Sequence, residues 1–280
     1  MRFSDARIEQ FIAEDVPSID LTTEALGIAG TVGSMEYFTR EGCVLCGVEE
    51  AARAARKLGL EVDACRPSGT RLAAGESFLR VEGDAADLHA AWKVCLNLCD
   101  SVSAVATKAA QFVGKVHAVN PRCEVLVTRK VFPGAKDLLT KAVMTGGAWP
   151  HRMGLSETIL IFDNHIKFMG GFDALLEQLP AIRRRCIEKK VFVEATADQA
   201  FLLAQVGVDG IQFDKVPAER MAVLVPQLRA IDPHLTLIAA GGVNMANCES
   251  YAAAGVDGIA TTCLYSAKPV DMSVRMTKVP

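Results

Sequence analysis

From residue 124 to residue 260, short aliphatic runs alternate with segments that have the composition of helices. We predict strands at 124–128, 158–161, 191–194, 210–213, 235–238 and 258–260. We predict helices between them, at 136–144, 172–179, 198–206, 217–230 and 244–254. This β-α-β order requires a parallel sheet with right-handed crossovers. Only 6% of the residues are aromatic, which suits an α/β core built from buried aliphatic strands.

The pentapeptide Gly-Val-Asp-Gly-Ile occurs twice, at 207–211 and 255–259. Each copy follows an Ala-rich predicted helix and opens a predicted strand. The first glycine suits the position just after a helix, and we expect the valine to pack where the chain turns back. The repeat therefore marks two equivalent helix-to-strand joints, as an α/β barrel would have, and its role is expected to be structural.

The first third of the sequence has no such repeat. Ser4 and Asp20 each precede a short helical segment and are predicted to cap it. Strands separated by turn residues are predicted near 33–39, 61–65 and 77–81. Residues 85–113 are rich in Ala, Leu and Val and contain neither Pro nor Gly. We predict one long helix there that links two domains.

Charge and hydropathy exclude several classes of protein. The formal charge at pH 7 is −3, and no run of Lys and Arg is long enough for a nucleic-acid-binding tail. The densest basic segment, 183–190, is predicted to be a solvated helix face. No apolar stretch reaches the ~20 residues of a membrane span, and the charged N-terminus lacks the apolar core of a signal peptide. We therefore expect a cytoplasmic protein without membrane insertion.

The chain has nine cysteines, and an odd number without a targeting signal favours free thiols. Cys43 and Cys46 have the CxxC spacing, but a structural zinc site needs four ligands and no second pair follows. We expect both thiols to be buried as small hydrophobic groups.

The predicted strand ends carry an unusual set of polar residues. In a parallel barrel the functional groups gather at the carboxyl ends of the strands. Buried ionic groups are costly unless they are partnered, so a polyanionic ligand would explain the cations and acids together. A Gly-Gly pair before a predicted helix favours a phosphate site, and two acids suit a sugar diol or a Mg²⁺ ion carried by phosphates. The residues are Thr128, Arg129, Lys130, His151, Arg152, Asp163, Asn164, His165, Glu194, Asp214, Lys215, Ala240, Gly241 and Gly242.

Each of these residues also has a structural interpretation that the sequence leaves open. Gly241-Gly242 can be a tight turn, and His165 can be a hydrogen-bonded core histidine. Asp163-Asn164 can cap the following turn, and Asp214-Lys215 can be a surface pair. Arg129-Lys130 is the hardest to explain in this way, because adjacent cations at a strand end point to opposite sides and both need anions.

The ordered set of motifs resembles the quinolinate phosphoribosyltransferase family over essentially the whole chain. Among the relatives, the sequence is most similar to the ModD branch, which is associated with molybdenum transport operons. The motifs are Glu14-Asp15, Asp20-Leu-Thr-Thr, Thr128-Arg129-Lys130 with Pro133-Gly134, Gly146-Gly147 through His151-Arg152, Asp163-Asn164-His165-Ile166, Glu194, Asp214 and Gly241-Gly242.

The resemblance implies an N-terminal α/β sandwich, here 1–107 with a tail at 266–280, and an open parallel α/β barrel at 108–265. It also implies a pentosyltransferase of the nicotinate-nucleotide diphosphorylase (carboxylating) type. Such enzymes transfer phosphoribosyl from phosphoribosyl pyrophosphate to quinolinate with Mg²⁺, releasing pyrophosphate and carbon dioxide, in NAD biosynthesis. The resemblance further implies a homodimer, with one subunit's N-terminal domain covering its partner's barrel mouth. Assembly beyond the dimer is left open.

The same resemblance assigns roles to individual residues. Lys130, Glu194 and Asp214 are implied to be catalytic, with a substrate-borne Mg²⁺ near the two acids and no metal site of the protein's own. The implied substrate-binding residues are Thr128, Arg129, Lys130, His151, Arg152, Glu194, Asp214, Ala240, Gly241 and Gly242.

At three further binding positions the chain departs from the family pattern. Lys93 replaces an arginine that reaches the partner subunit's acceptor, Phe162 replaces a lysine, and Thr262 replaces a glycine. Lysine lacks the bidentate fork of arginine, and a ring cannot neutralise a carboxylate. These changes motivate a second hypothesis, in which a ModD-type protein of molybdenum transport or metabolism has an altered acceptor or only a binding role.

Overall fold

The computed structural model describes residues 1–279, which fall into two compact units. The first unit comprises Met1–Ala110, Phe132–Gly146 and the residues from Tyr265 onward. The second comprises Gln111–Val131 and Gly147–Leu264. This division differs from the one expected at residues 107 and 108 mainly at Phe132–Gly146, which belongs to the first unit.

The helices and strands are defined here in chain order. The helices are α1 (Asp5–Asp15), α2 (Leu21–Leu26), α3 (Val48–Lys57), α4 (Ala85–Val119), α5 (Lys136–Thr145), α6 (Asp163–Met169), α7 (Phe172–Arg185), α8 (Ala197–Val206), α9 (Ala218–Ile231) and α10 (Cys248–Ala253). The strands are β1 (Val32–Thr39), β2 (Cys43–Val44), β3 (Glu61–Cys65), β4 (Arg71–Leu72), β5 (Ser77–Asp84), β6 (Glu124–Val127), β7 (Trp149–Pro150), β8 (Ile159–Ile161), β9 (Val191–Glu194), β10 (Gly210–Asp214), β11 (Thr236–Ala240), β12 (Gly258–Thr261) and β13 (Met272–Lys278).

The first unit is built on a four-stranded antiparallel sheet in the order β13-β1-β5-β3. Alternate residues of β1 are buried, as expected for a sheet with one face on a core. Tyr37 on β1 is fully buried, and its hydroxyl donates a hydrogen bond to the Ala91 carbonyl of α4 at 3.2 Å. The predicted caps are confirmed, because Ser4 Oγ accepts from the backbone N of Arg7 and Asp20 Oδ1 accepts from that of Thr22.

The second unit is a curled parallel sheet of seven strands in the order β7-β6-β12-β11-β10-β9-β8. Helices separate most consecutive strands along the chain, so the predicted β-α-β alternation and the α/β fold class are confirmed. The inner strands are almost wholly buried, which explains why they have no polar alternation in sequence. The carboxyl ends of all seven strands therefore lie at one edge of this sheet.

The two Gly-Val-Asp-Gly-Ile copies have equivalent contacts. Gly207 and Gly255 have φ of +85° and +82°, and the valines that follow are buried. Asp209 Oδ2 accepts from the backbone N of Val191 at 2.7 Å, and Asp257 Oδ2 accepts from that of Leu237 at 2.7 Å. Each aspartate also pairs with an arginine from a preceding helix, Arg183 and Arg229 respectively. The repeat therefore fixes the start of a neighbouring strand, in agreement with its predicted structural role.

Three helix predictions were wrong in length. The long helix predicted over 85–113 continues through Gly114 to Val119. The helix predicted to end at residue 179 continues through Pro180 to Arg185, with Leu175 and Leu179 buried along it. The helix predicted at 244–254 is only α10, Cys248–Ala253. Its first residues form a turn instead, because Asn244 Oδ1 accepts from the backbone N of Ala246 and competes with helical hydrogen bonding.

The prediction for the cysteines agrees with the structure. All nine cysteines are free thiols, and Cys43 and Cys46 are buried. No cluster of three or more potential metal ligands occurs within residues 1–279. In the same residues, every helix is too short or too polar to cross a membrane.

Candidate active site

A cavity of about 470 Å³ opens at the carboxyl edge of the parallel sheet. The residues that line it lie at or near the carboxyl ends of β6 to β12, and they include Leu160 and Phe162 at β8. The parallel sheet thus brings together residues that are far apart in sequence. Most of the predicted binding residues line it. They are Thr128, Arg129, Lys130, His151, Arg152, Phe162, Glu194, Asp214, Ala240, Gly241, Gly242 and Thr262.

One side of the cavity is cationic. Arg129, Lys130 and Arg152 have no carboxylate oxygen within 4.0 Å among residues 1–279. Arg152 is only 9% exposed, and burial followed by the charge of Arg129 lowers its pKa. A buried guanidinium without an anion is unfavourable, so this side of the cavity is suited to an anionic ligand.

His151 adds a polar group without adding a charge. Burial lowers its pKa, with a further contribution from the neighbouring Arg152, so the neutral imidazole is favoured. The His151 ring lies edge-on to Phe192, with 6.4 Å between centroids. Its Nε2 atom is buried and has no hydrogen-bond partner within residues 1–279. A ligand in the cavity can therefore supply the missing hydrogen bond.

Two residues of the lining are acidic. Burial raises the pKa of Glu194, the nearby Asp214 raises it further, and Gln212 Nε2 opposes this by donating to Glu194 Oε2 at 2.7 Å. Asp214 is half-exposed, and its Oδ2 is 3.9 Å from the well-exposed Lys215 ammonium, so that pair is weak. The two acids are therefore available to a cationic or hydroxyl-bearing part of a ligand.

Gly241 has to be a glycine for steric reasons. Its φ is +77°, and a Cβ atom there would lie 2.2 Å from Asp214 Oδ1 and 2.8 Å from the backbone N of Lys215. Gly242 has a φ of +80° but open space around it. The expectation that these glycines open a helix was wrong, because α10 begins only at Cys248. Any phosphate here would be bound by backbone N–H groups of the loop, without the help of a helix dipole.

Two threonines join the loops that follow β6 and β12. Thr128 Oγ1 and Thr262 Oγ1 are 2.8 Å apart and share a hydrogen bond. Thr128 Oγ1 also accepts from the backbone N of Lys130 at 3.2 Å, which fixes the course of the loop carrying the cations. Thr262 therefore has a positioning role in addition to lining the cavity.

Comparison with known proteins supports the same interpretation. Residues 105–275 match the profile of the quinolinate phosphoribosyl transferase C-terminal domain, and residues 20–103 match that of the N-terminal domain. The chain belongs to the quinolinate phosphoribosyltransferase family. The predicted family resemblance is thus confirmed.

Individual relatives of the family extend over nearly the whole chain. A protein named as pyrophosphorylase ModD from Rhodobacter capsulatus is 39% identical over 244 residues, covering 87% of this chain and 93% of the relative. The nicotinate-nucleotide pyrophosphorylase (carboxylating) of Mycobacterium leprae is 30% identical over 275 residues, covering 95% of each. The crystal structure of NadC from Streptococcus pyogenes has a TM-score of 0.90 at 25% identity, covering 100% of both chains.

Lys93 is the predicted binding residue of this family member that does not line the cavity. It lies on α4 in the first unit, where its Nζ is 5.5 Å from the centre of the Trp92 ring. Its binding role stays a prediction.

His165 and Asp163 also have positions that the sequence left open. The interpretation of His165 as a core residue was wrong, because it is exposed and its Nδ1 accepts from the backbone N of Phe162 at 2.9 Å. Asp163 begins α6 and pairs with Lys167 at 2.6 Å, with both side chains mostly exposed. These residues stabilise the turn after β8 and do not line the cavity.

The sequence analysis missed several polar residues of the cavity in this family member, among them Gln212 and Asn244. Gln212 lines it and is 7% exposed, and the signal was a polar residue inside an otherwise apolar strand. Asn244 lines it too, and its place at the start of the predicted helix 244–254 did not indicate this. Its Nδ2 donates to the Gly242 carbonyl at 3.1 Å, so it shapes the Gly-Gly loop.

Proposed function

We propose that the protein transfers phosphoribosyl from phosphoribosyl pyrophosphate to quinolinate or a related aromatic acid and releases pyrophosphate. The observation that carries the proposal is the group of Arg129, Lys130 and Arg152, which face one cavity without carboxylate partners in residues 1–279. Two carboxylates line the same cavity. Family membership and the name of the Mycobacterium leprae relative support the same reaction.

The reaction needs positioning and fixed charge rather than a protein nucleophile. A ring nitrogen of the acceptor donates its lone pair to C1 of the ribose. The C1–O bond breaks, and its electron pair leaves with pyrophosphate. Quinolinate would then lose one carboxyl group as carbon dioxide, and the ring carbon would take up a proton.

The cations and the acids of the lining are suited to different tasks. Arg129, Lys130 and Arg152 are suited to the phosphates and to the acceptor carboxylate, since charge-assisted hydrogen bonds to such anions are strong. Glu194 and Asp214 are suited to the ribose hydroxyls and to the positive charge that develops at C1.

The donor set of the cavity fits a Mg²⁺ ion that arrives with the pyrophosphate. Mg²⁺ is commonly held by one or two carboxylates together with substrate phosphates, and Glu194 and Asp214 supply such a pair. Asp214 raises the pKa of Glu194, and a cation near both would relieve that repulsion. When bound, the ion would neutralise part of the pyrophosphate charge.

The proposed assembly is a homodimer with a shared site, in which Lys93 of one subunit serves the cavity of the other. The place of Lys93 in the matched N-terminal family domain, where the family pattern has an arginine that reaches the partner subunit, supports this arrangement. Light scattering coupled to size exclusion is expected to give the mass of a dimer or a multiple of it. A monomer at micromolar concentration would contradict it.

The proposed activity is tested by pyrophosphate release from phosphoribosyl pyrophosphate and Mg²⁺ with quinolinate and a panel of other aromatic acids. We expect release that depends on an acceptor, and its loss in Arg129→Ala with an unchanged circular dichroism spectrum. Absence of turnover with every aromatic acid would disprove the activity.

A second candidate is a ModD-type role in molybdenum transport or metabolism that uses the cavity for binding. The name of the Rhodobacter capsulatus relative and the aromatic Phe162 in the cavity favour it. Calorimetry separates the two candidates. Tight binding of molybdate without binding of phosphoribosyl pyrophosphate would favour the second.

A further inference from the structure

Phe162 and Arg152 meet across the open side of the curled sheet. They follow β8 and β7, which are the two edge strands and stand at opposite ends of the strand order. The Arg152 guanidinium carbon is nevertheless 5.8 Å from the centre of the Phe162 ring, within the range of a cation–π contact. This pair therefore closes the rim of the cavity at the gap in the barrel.

The Phe162 ring is held in place on several sides. It packs on an apolar cluster that includes Leu160 and Phe192. The His165 ring lies 5.8 Å away at 30°, and His165 Nδ1 accepts the Phe162 backbone N–H. Ala240 and Ala260 of the same cluster also line the cavity. Phe162 thus presents a fixed aromatic face beside an apolar floor.

The charges of the cavity limit what can lie against that face. The donor needs cations for a phosphate and for a pyrophosphate, and the cationic side consists of Arg129, Lys130 and Arg152. The edge of the Arg152 guanidinium can still bind one carboxylate of an acceptor stacked on Phe162. Among the lining residues of one chain, a second, adjacent carboxylate would face the ring and the alanines, where burial of an unpaired charge is costly, and in the proposed dimer only the partner's Lys93 could offset that cost.

We propose that Phe162 determines the acceptor class, so that the cavity prefers a planar aromatic ring with one carboxylate over a dicarboxylate. The inference rests on the proposed phosphoribosyl transfer and narrows its acceptor. The ring nitrogen forms the bond to C1, and the C1–O electron pair leaves with pyrophosphate. The single carboxylate stays on the product, so no carbon dioxide is released and no proton is taken up.

The test measures equilibrium binding of pyridine-3-carboxylate and of pyridine-2,3-dicarboxylate to the full-length protein. We expect the monocarboxylate to bind roughly tenfold more tightly or better, because the second carboxylate loses its hydration without a partner. Phe162→Lys supplies a cation and should reverse the preference. Phe162→Leu keeps an apolar wall and should weaken monocarboxylate binding several-fold while still disfavouring the dicarboxylate.

A matched control is Phe168→Lys, which makes the same substitution on α6 at a side chain that is 96% exposed and does not line the cavity. It should leave the ratio of the two affinities unchanged. If Phe162→Lys does not fold, the weaker monocarboxylate binding expected for Phe162→Leu remains the criterion.

Several results would overturn the inference. They are equal or tighter binding of the dicarboxylate, binding of neither acid, an unchanged ratio in folded Phe162→Lys, and undiminished monocarboxylate binding in Phe162→Leu. Failure of the proposed phosphoribosyl transfer would give a different result. It would appear as no pyrophosphate release with any acid although the binding preference is present.

Discussion

Lys141 in the first unit and Arg152 in the second are both largely buried cations, but their surroundings differ. Lys141 Nζ lies 2.7 Å from Glu49 Oε2 and also contacts the buried Glu50. Glu49 in turn accepts from the backbone N of Ser68 at 2.7 Å. Arg152 has a ring beside it and no carboxylate within salt-bridge distance in the described part of the chain. The first arrangement is complete within the protein, whereas the second becomes complete only with a ligand.

The largest expected effect comes from removing Lys141 from its ion pairs with Glu49 and Glu50. Lys141→Met leaves Glu50 buried without a partner, so the free energy of unfolding should fall by about 3–5 kcal/mol. Urea denaturation followed by circular dichroism measures it. Lys167→Met, which breaks the exposed pair with Asp163, is the control and should cost no more than about 1 kcal/mol. Equal losses in both variants would refute the contrast.

Replacing the buried cation of the cavity by methionine should change ligand binding much more than stability. Arg152→Met removes a buried cation that has no anionic partner, so stability should be unchanged or slightly higher. Binding of phosphoribosyl pyrophosphate with Mg²⁺ should weaken by about 2 kcal/mol or more, measured by calorimetry. A large loss of stability with unchanged binding would show that Arg152 has a structural role.

The decrease in the free energy of unfolding below about pH 4.5 should depend on Glu49. Hydrogen bonds from Lys141 and Ser68 outweigh burial and lower its pKa from 4.5 to about 2. The unfolded chain then binds the proton first as pH falls, so this contribution is complete above about pH 4.5 and is lost towards pH 2. Glu49→Gln should flatten that decrease in denaturant titrations. An unchanged slope would argue against the lowered pKa.

The smallest effect is expected at Glu194. Its pKa is raised, whereas that of Glu49 is lowered, so its contribution to stability changes with pH in the opposite direction. Burial and Asp214 raise its pKa in the folded protein, so the folded state holds the proton longer than the unfolded chain does. Stability from this group is therefore lost as pH rises through and above its ordinary value of 4.5. Glu194→Gln should be at least as stable as the wild type at pH 7 and should bind phosphoribosyl pyrophosphate less well. Lower stability at pH 7 would contradict this.

Much of the fold and the cavity could be predicted because both follow from periodicity. Buried parallel strands read as aliphatic runs, and their carboxyl ends must meet at one edge. Once 124–128 and 210–213 were recognised as strands, the proximity of Lys130 and Asp214 followed. The two pentapeptides predicted equivalent joints for the same reason.

Other features depend on geometry that local sequence does not contain. The contact of Arg152 with Phe162 depends on how far the sheet curls, since their strands are not neighbours in it. The short α10 reflects competition by the Asn244 side chain, which resembles an ordinary cap in sequence. The partners of Asp209 and Asp257 lie on other elements and became visible only in the fold.

The paired aspartates of the two repeats act at the amino-terminal ends of the strands, opposite to the edge that carries the cavity. Asp209 and Asp257 each anchor a neighbouring strand start and an arginine there. Folding of the barrel is thus secured at a distance from the residues that select ligands. A lineage of such proteins can exchange a side chain like Phe162 and acquire a new specificity while its architecture persists.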